Sequence, residues 1–364
     1  MNITLVAGAR PNFVKIAPII YAIKKRQVTG AKLGYRLVHT GQHYDSKMSG
    51  DFFRELHIPD PDINLECGSG SQAEQTAAIM IAFEKELLQN PADLVLVVGD
   101  VTSTMACTIV AKKLNTRVAH VEAGIRSFDL TMPEEINRMV TDSITDYFFT
   151  TSEFANDNLL KSGVKEADIF YVGNVMIDTL LANRSRFIKP AIFNELGLIE
   201  KQYLVMTLHR PANVDEGRKL KALIDEIVEN AEGLPVIFPI HPRTARLFND
   251  LDVSAPTLKI IEPLGYLEFN YLVGNSKAVI TDSGGITEET TVMNIPCLTL
   301  RDNTERPETI LTGTNELIGT DPLNIKPAMK KLFAGEWKKG AIPNLWDGHA
   351  AERIVEKILN VYEQ

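Results

Sequence analysis

The chain has 364 residues, of which 45% are hydrophobic and 23% are charged, a composition typical of soluble globular proteins. A chain of this length exceeds one ordinary hydrophobic core and predicts two domains. The net charge of −9 argues against a general nucleic-acid or membrane-surface binder, because those partners are anionic and would repel an acidic protein.

The cysteines and the start of the chain indicate a cytoplasmic protein. Cys67, Cys107 and Cys297 are odd in number and far apart, which excludes a disulfide framework or a zinc ribbon and fits a reducing compartment. The apolar start is interrupted by Arg10 and Pro11, too early for a signal-peptide core, and no apolar run reaches the length of a membrane span. No set of His, Cys and carboxylate residues has ligand spacing, so no metal site is predicted.

The first half of the chain alternates aliphatic segments with helical segments. Residues 2–7 predict a strand and residues 12–25 a helix, and the aliphatic run 94–98 predicts a second strand, followed by a helix over 102–114. Strands this aliphatic are buried on both faces, as in a parallel sheet between helix layers. Further predicted strands cover 35–39, 117–121, 146–150 and 169–172, and further helices cover 46–56 and 72–89.

The second half repeats the alternation and predicts a second domain of the same class. Its predicted strands cover 203–208, 235–240, 258–261, 278–281 and 296–300, with a helix over 220–230. We expect two doubly wound, Rossmann-like α/β domains, 1–175 and 176–348, which face each other across a cleft, and a helix at 349–364 that packs back on the first domain. Ligands bind beyond the carboxyl ends of such strands, so the chemistry is expected there.

One strand end predicts a phosphate site. Gly284 and Gly285 follow a β-branched run and open a helical segment, so a ligand can approach the backbone closely, and Ser283 can cap the first amides of that helix. Glu289, one turn into the helix, suits either the helix dipole or a ribose hydroxyl. The alternative is a capped tight turn with nothing bound.

Two cations and two carboxylates follow strands of the first half. Arg10 and Lys15 lie at a helix start, where cations oppose the dipole, so an anionic ligand is the simplest reason for them; the alternative is that both point into solvent. Asp100 and Glu122 each end a buried strand. Asp100 is also open to a role as a helix cap, which the Ala-Gly after Glu122 makes less suitable for that residue.

Further charged residues extend this pattern to both halves. Glu134 and Glu135 form an acidic pair, of which at least one could be a first-turn helix acid with no other role. Carboxylates gathered at one edge would repel each other and raise at least one pKa, which suits acid/base chemistry. In the second half, His209, His241 and Arg306 follow strands and indicate an anion pocket at the same edge as Ser283.

Together these strings resemble the non-hydrolysing UDP-N-acetylglucosamine 2-epimerases, in collinear order over about the whole chain. Any one string is weak, and their combination in order is specific to the family. The strings are Gly8-Ala-Arg-Pro11 with Lys15, Thr40-Gly-Gln-His43, Val98-Gly-Asp100, His120-Val-Glu-Ala-Gly124, Pro133-Glu-Glu-Ile-Asn-Arg138, Thr281-Asp-Ser-Gly-Gly-Ile-Thr-Glu-Glu289 and Arg301-Asp-Asn-Thr-Glu-Arg-Pro307.

The resemblance implies a UDP site in the second domain of a fold shared with GT-B glycosyltransferases. It implies a homodimer that acts on a UDP-sugar, serves cell-surface polysaccharide synthesis and needs no cofactor. By the match, the diphosphate lies at the Ser-Gly-Gly turn, the ribose at the acid one helical turn later, and the uracil against an aromatic ring. The implied UDP-sugar-binding residues are Arg10, Lys15, His241, Phe269, Ser283, Gly284, Gly285, Glu289 and Arg306.

The resemblance also implies a reaction that explains the carboxylates of the first half. In the family, the C2 proton is removed and UDP is expelled to give a 2-acetamidoglucal, and UDP then re-adds with a proton delivered to the opposite face of C2. Asp100, Glu122 and Glu134 match the family's candidate acid/base residues, and His209 would stabilise the departing UDP. Arg10 and Lys15 would neutralise charge near the diphosphate or orient the carboxylates.

Several departures and alternatives bear on the substrate. After His209 the chain reads Arg-Pro-Ala-Asn-Val-Asp, where many bacterial members carry a more basic string, so another sugar, such as UDP-2,3-diacetamido-glucuronic acid, is an alternative substrate. Some members bind a second substrate molecule as an activator near a Gln-His string; Gln42 and His43 are present, but residues 44–46 depart from the usual pattern, which argues against this activation here. A hydrolysing 2-epimerase, a glycosyltransferase and a non-catalytic nucleotide-sugar sensor are the remaining alternatives.

Overall fold

The computed structural model describes residues 1–41, 53–68, 70–240 and 255–362. By contacts the chain divides into two compact units, unit 1 (Met1–Ala182 with Asn344–Gln364) and unit 2 (Asn183–Pro343). The helix predicted over 46–56 lies mostly outside the described residues. Within the described residues, no helix is both long and apolar enough to cross a membrane.

Unit 1 is built on a parallel sheet with the strand order β3-β2-β1-β4-β5-β6-β7 in the described residues. The order reverses between β1 and β4, as in a doubly wound fold. The strands are β1 (Asn2–Ala7), β2 (Gly34–His39), β3 (Ile63–Asn64), β4 (Leu94–Val98), β5 (Arg117–Val121), β6 (Tyr147–Thr150) and β7 (Ile169–Tyr171). The helices that follow these strands are α1 (Arg10–Val28), α2 (Gln72–Gln89), α3 (Thr102–Lys113), α4 (Pro133–Ile144), α5 (Glu153–Lys161) and α6 (Val175–Asn183).

Unit 2 repeats this arrangement with the strand order β10-β9-β8-β11-β12-β13, which reverses between β8 and β11. The prediction of two doubly wound, parallel α/β units is confirmed. The strands are β8 (Leu204–Thr207), β9 (Val236–Pro239), β10 (Leu258–Ile261), β11 (Ala278–Thr281), β12 (Cys297–Thr299) and β13 (Asn315–Leu317). The helices are α7 (Ala191–Glu195), α8 (Pro211–Val214), α9 (Gly217–Glu229), α10 (Tyr266–Asn275), α11 (Gly284–Met293), α12 (Pro307–Leu311) and α13 (Ile325–Phe333), and α14 (Ala350–Tyr362) returns to unit 1.

The sheet of unit 2 is buried on both faces, as its aliphatic strands predict. Leu204 and Met206 of β8 point into one cluster with the apolar stripe of α9, where leucine and isoleucine recur at a spacing of three and four residues. Val205 points into the opposite cluster, which includes Tyr203 and Leu272 of α10. Successive strand residues therefore fill two separate layers, since side chains alternate between the faces of a sheet.

The contact division differs from the predicted boundaries after residues 175 and 348, because α6 packs on unit 1. The Thr179 hydroxyl donates to the Val14 carbonyl at 2.6 Å, which ties α6 to α1. The Asp178 carboxylate accepts the amides of Ala350 and Ala351 at 3.1 and 2.7 Å, so α6 also holds the start of α14. The first boundary consequently lies at the end of α6.

The second boundary moves the other way, because residues 344–348 also bind unit 1. The Tyr171 hydroxyl donates to the Asn344 carbonyl at 2.7 Å, and the buried indole of Trp346 donates to the Thr151 carbonyl at 3.0 Å. Gly173, with φ +92°, must be glycine here, since an added Cβ would lie 2.0 Å from the Leu345 carbonyl oxygen. The returning segment is therefore part of unit 1 before α14 begins.

Candidate active site

The point where the strand order reverses in unit 2 is organised around the buried Asp282. Its carboxylate follows β11 and accepts the backbone amides of His209 and Arg210, at 3.1 and 2.9 Å, and the side-chain amide of Asn213 at 3.1 Å. The His209 imidazole adds an Nδ1 contact to Oδ1 at 2.8 Å. Asp282 thus fixes the loop that follows β8 to the end of β11.

The same contacts set the ionisation of Asp282. Burial by itself would raise the pKa of this carboxyl, but the hydrogen bond and charge of His209, with the Arg210 amide and Asn213, outweigh it, so the pKa is lowered below its ordinary value. The ring of His209 is itself 56% exposed. Because Asp282 contacts Nδ1, the direction in which Nε2 points is also fixed by the protein.

The predicted capping role of Ser283 is wrong. Ser283 occupies the N-cap position of α11 with extended backbone, but its side chain makes no capping hydrogen bond, and its amide instead donates to the Thr281 hydroxyl at 3.0 Å. That hydroxyl is already shared with Thr207 at 2.6 Å. The two threonines join the ends of β8 and β11. The hydroxyl that accepts from the turn is therefore that of Thr281, in the sheet, and not that of Ser283.

The group that lies close to the backbone at Gly284 is a carboxylate of the protein itself, and the approach of a ligand at this position stays a prediction. An added Cβ at Gly284 would lie 2.9 Å from Oε1 of Glu305. Glu305 is buried and pairs with Arg301, whose Nη2 lies 2.5 Å from Oε2, and Arg210 Nη2 lies 3.7 Å from Oε1. A negative group therefore lies at the N-terminus of α11, where the dipole favours it.

Arg306 and Glu289 lie on the two other sides of α11. The Arg306 guanidinium is buried, with Nε 2.6 Å from Oε1 of Glu288. Glu289 is also buried and accepts the Tyr266 hydroxyl at 3.0 Å. Burial raises the pKa of Glu289 to about 7, although the hydrogen bonds from Tyr266 and Asn270 lower it in part. Of the adjacent residues Glu288 and Glu289, the first is thus paired with a guanidinium and the second titrates near neutral pH.

The remaining predicted residues of unit 2 are placed as follows. Phe269 is half-buried on α10 and packs against the apolar cluster on that face of the sheet. Gly285 lies in the first turn of α11 and is half-buried. His241 lies outside the described residues.

In unit 1, Asp100 is held by two side chains of α4 at the end of β4. Arg138 donates through Nη2 to Oδ2 of Asp100 at 2.5 Å, and the Asn137 side chain donates to the Asp100 carbonyl at 2.9 Å. The N-cap of α3 is Val101, without a side-chain capping bond, so the capping alternative for Asp100 does not apply. The Asp100 side chain keeps 22% exposure, which leaves part of the carboxylate accessible.

Glu122, at the end of the neighbouring β5, pairs with the buried Lys15 of α1. Lys15 Nζ lies 2.5 Å from Oε2, with side-chain exposures of 7% and 3%. Glu122 has φ +72°, a conformation that non-glycine residues rarely adopt, and its amide donates to the Phe149 carbonyl at 2.9 Å. Lys15 thus contacts one of the predicted carboxylates, and its role in the reaction stays a prediction. Arg10 opens α1, and its side chain lies outside the described part of the structure.

The acidic pair at the start of α4 divides into an exposed and a buried carboxylate. Glu134 is exposed in the first turn. Glu135 is buried, accepts the amides of Ser127 and Phe128 at 2.9 and 3.1 Å, and contacts Arg138 Nη1 at 2.9 Å. Glu135 therefore holds the preceding loop and the guanidinium that binds Asp100, while Glu134 keeps an accessible carboxylate.

A buried group that the sequence interpretation did not single out lies beneath this edge. His120 of β5 is fully buried, with Nδ1 2.7 Å from Oδ1 of Asp142 and Nε2 2.8 Å from the Gly99 carbonyl. Asp142 also accepts the Gly124 amide at 3.1 Å and pairs with Arg126 Nη1 at 2.7 Å. Burial would raise the pKa of Asp142, but His120 and Arg126 together hold it below its usual value.

A cavity of about 450 Å³ in unit 1 contains none of the predicted site residues. It shares only Arg126 and Asp142 with the groups described above, so it is not assigned to the substrate. Among all described residues, those of the cavity included, no three His, Cys, Asp or Glu side chains form a group that could hold a metal ion. The cavity is lined by Arg126, Met139, Asp142, Ser143, Thr145, Phe148, Ser162, Gly163, Val164, Lys165 and Asp168.

Comparison with known proteins identifies the family. The UDP-N-acetylglucosamine 2-epimerase of Methanocaldococcus jannaschii is 42% identical over 368 residues, which cover 98% of each chain. Its crystal structure in complex with UDP-GlcNAc and UDP matches with a TM-score of 0.89 and 41% identity, over 99% of this chain and 100% of that one. The UDP-2,3-diacetamido-2,3-dideoxy-D-glucuronate 2-epimerase of Pseudomonas aeruginosa is 38% identical over 323 residues, 88% of each chain. The family profile described as UDP-N-acetylglucosamine 2-epimerase matches residues 26–359, and the chain belongs to this family.

Proposed function

We propose that the chain is an isomerase that interconverts UDP-N-acetylglucosamine and UDP-N-acetylmannosamine. The observation that carries the proposal is a pair of carboxylates, Asp100 and Glu122, at the ends of neighbouring strands in unit 1, each held by one cation. Membership of the 2-epimerase family supports the same reaction. The arrangement suits proton transfer at a carbon atom, because that chemistry needs a positioned base and a positioned acid.

The proposed chemistry is elimination followed by re-addition of UDP. A carboxylate removes the C2 proton, the C1–O bond breaks with its electron pair leaving on UDP, and a C1=C2 double bond forms to give 2-acetamidoglucal. UDP then adds back at C1 while a second carboxyl group delivers a proton to the opposite face of C2. We assign these transfers to Asp100, Glu122 and Glu134, with Lys15 and Arg138 orienting the first two.

Unit 2 is proposed to bind the leaving group. The diphosphate is assigned to Arg306 and the turn formed by Ser283, Gly284 and Gly285, as the family resemblance implies, because guanidinium groups favour anions. Since Asp282 holds the Nδ1 edge of His209, we assign the Nε2 edge to the departing oxygen. The ribose hydroxyls are assigned to Glu289 and the uracil to Phe269, and Arg10 and His241 complete the proposed set.

Incubation with UDP-N-acetylglucosamine in heavy water tests the proposal. The expected result is deuterium at C2 of an intact UDP-sugar pool that contains both epimers, since the proton returned to C2 comes from solvent. Release of free sugar and UDP as the end products would instead identify a hydrolysing enzyme. An unchanged, unlabelled UDP-sugar would contradict the proposal and favour a nucleotide-sugar sensor.

A second candidate substrate is UDP-2,3-diacetamido-2,3-dideoxy-D-glucuronate. The observation that favours it is the identity of 38% to the P. aeruginosa enzyme, close to the 42% found for the M. jannaschii enzyme. The same heavy-water experiment with both sugars, each at equal concentration, distinguishes them. The sugar with the larger kcat/KM for C2 exchange is the preferred substrate.

We further propose that the enzyme is a cytoplasmic homodimer that works without a metal or redox cofactor and supplies cell-surface polysaccharide synthesis. Family resemblance and the chemistry of the reaction, which transfers protons but no net electrons, support this. Light scattering after size exclusion would give the mass in solution, and a mass of one chain would contradict the dimer. Turnover that persists after dialysis against a chelator would support the absence of a metal requirement.

A further inference from the structure

The buried imidazole of His120 lies between a carboxylate and the backbone of the segment that carries Asp100. The Gly99 carbonyl can only accept a hydrogen bond, so His120 Nε2, at 2.8 Å, is the donor. His120 Nδ1 lies 2.7 Å from Oδ1 of the buried Asp142, so the other ring nitrogen is also in hydrogen-bond contact. Both ring nitrogens are therefore committed, and the ring orientation is fixed.

The peptide that His120 contacts is flanked by two further hydrogen bonds, one on each side. The Gly99 amide donates to the Val121 carbonyl at 3.0 Å, and the Asn137 side chain donates to the Asp100 carbonyl at 2.9 Å. Gly99 has φ +70°, and an added Cβ would lie 3.1 Å from Lys15 Nζ, so a side chain at this position would crowd Lys15. The bond from His120 is the one that fixes the Gly99 carbonyl.

We propose that His120, oriented by Asp142, is a positioning residue that holds the Gly99–Asp100 peptide so that the Asp100 carboxylate is placed for proton transfer. The inference rests on the proposed function, in which Asp100 takes part in the reaction at C2. His120 does not touch the substrate; it acts through the Gly99 carbonyl. A displacement of about 1 Å in a reacting group can lower a rate about 100-fold, so a single lost bond at this peptide is sufficient for a large effect.

Two substitutions separate the contact with Gly99 from the contact with Asp142. In His120→Gln the side-chain amide reaches the position of Nε2 and can still donate to Gly99, but it leaves the buried Asp142 without its imidazole. In His120→Asn the amide lies at the position of Nδ1 and still meets Asp142, but it does not reach Gly99. Both variants are uncharged, so they differ in which bond survives and not in charge.

The proposal predicts that the variant with the lower activity is the one with the higher thermal stability. His120→Asn should lose about 100-fold in kcat with KM and the Kd for UDP unchanged within about twofold, whereas His120→Gln should stay within about tenfold of the wild-type kcat. His120→Gln should nevertheless have the lower Tm, because it leaves a buried carboxylate short of a donor. If kcat follows Tm, or if the two variants have equal kcat, the positioning role is wrong.

Two further variants complete the experiment. Val118→Ala, in the same buried strand, lowers stability without touching Gly99 and should keep the wild-type kcat. Asp142→Asn can donate to Nδ1 and leave Nε2 to bind Gly99, so it should keep kcat within about tenfold even if His120→Asn fails to fold; a loss as large as that of Asp100→Asn would overturn the inference.

Asp100→Asn itself separates the two proposals. Full turnover in that variant removes Asp100 from the proposed reaction and with it the premise of the inference, whereas its loss beside an active His120→Asn refutes only the positioning role.

Discussion

Glu289 is a buried carboxyl group that titrates in the physiological range. Its pKa is raised to about 7 by burial, and its Oε1 atom accepts the Tyr266 hydroxyl. The neutral acid can donate one hydrogen bond, whereas the carboxylate accepts from several donors. A ligand that presents two neighbouring hydroxyl groups, as ribose does, therefore favours the ionised form.

We predict that UDP binding weakens as the pH falls below about 7. Binding of the ribose to the carboxylate lowers the pKa of Glu289, so affinity is full above the pKa of the free protein and falls by up to about tenfold per pH unit below it. Titration calorimetry across this range measures the effect. Since a terminal phosphate also titrates near about pH 6, the contribution of Glu289 is the difference from Glu289→Gln.

Tyr266→Phe sharpens this experiment. The tyrosine hydroxyl lowers the pKa of Glu289, so its removal should raise that pKa and move the midpoint of UDP binding to higher pH. Affinity at high pH should change little, because the carboxylate is retained. A midpoint that is the same in wild type, Tyr266→Phe and Glu289→Gln would show that Glu289 does not titrate with the ligand.

The carboxylates of unit 1 give a second prediction for single residues. Asp100→Asn, Glu122→Gln and Glu134→Gln should each lower turnover about 10²- to 10⁴-fold, because each removes a proton acceptor or donor, while UDP binding in unit 2 stays largely intact. Glu153→Gln is a matched control, since Glu153 is also an exposed first-turn acid in a helix of unit 1. Near-normal turnover in all three variants would contradict the assigned roles.

Sequence patterns locate some of these residues and miss others for a physical reason. Asp100 and Glu122 end aliphatic strands, and that position is visible in the sequence. Glu134 and Glu135 are adjacent and chemically equal, and only the path of the chain decides which is exposed and which holds Ser127. The role of Asp142 depends on a contact with His120 across 22 residues, which local spacing does not encode.

At the scale of elements, α4 supplies the side chains that hold the ends of β4 and β5 in unit 1. Asn137 and Arg138 hold Asp100, and Asp142, one turn further, holds His120. The alternation of aliphatic and helical segments that predicts the strands and helices gives no information on these bonds, because they join a helix to strand ends far away in the sequence. The helix boundaries follow from local pattern, and the polar contacts follow from the doubly wound order of the strands.

The junction of α6 and α14 predicts a pH dependence of stability. Burial raises the pKa of Asp178 to about 6, from an ordinary value of 3.8, although the Ala351 and Ala350 amides lower it in part. The folded state therefore holds this proton more tightly than the unfolded state. The stabilisation is fully present below about pH 4 and is lost as the pH rises through about 6, by up to about 3 kcal/mol.

Asp178→Asn tests this junction, because asparagine resembles the protonated acid and can still accept an amide of α14. The stability of the variant relative to wild type should increase as the pH rises from about 4 to about 7. Chemical denaturation at several pH values measures the difference. A constant difference between the two proteins across that range would contradict the raised pKa.

At the scale of the molecule, two separate cores predict separable responses to mutation. Ile354→Ala in α14 and Leu223→Ala in α9 remove matched, fully buried side chains from unit 1 and unit 2, at a cost of about 2 to 5 kcal/mol each. UDP at about 100 times its Kd adds about 2.7 kcal/mol to the unit that binds it. Calorimetric scans should show that UDP compensates Leu223→Ala and not Ile354→Ala; the reverse would place the nucleotide on unit 1.

The return of residues 344–362 to unit 1 has a consequence for synthesis on the ribosome. Unit 2 is continuous in sequence and can finish folding as soon as it emerges, whereas unit 1 stays incomplete until α14 is made. Until then, the surface of α1 that α14 covers, where Lys25 later meets Glu352, remains open in the nascent chain. Unit 1 is thus completed after unit 2 although its synthesis begins earlier, and one face of α1 stays exposed to water during that interval.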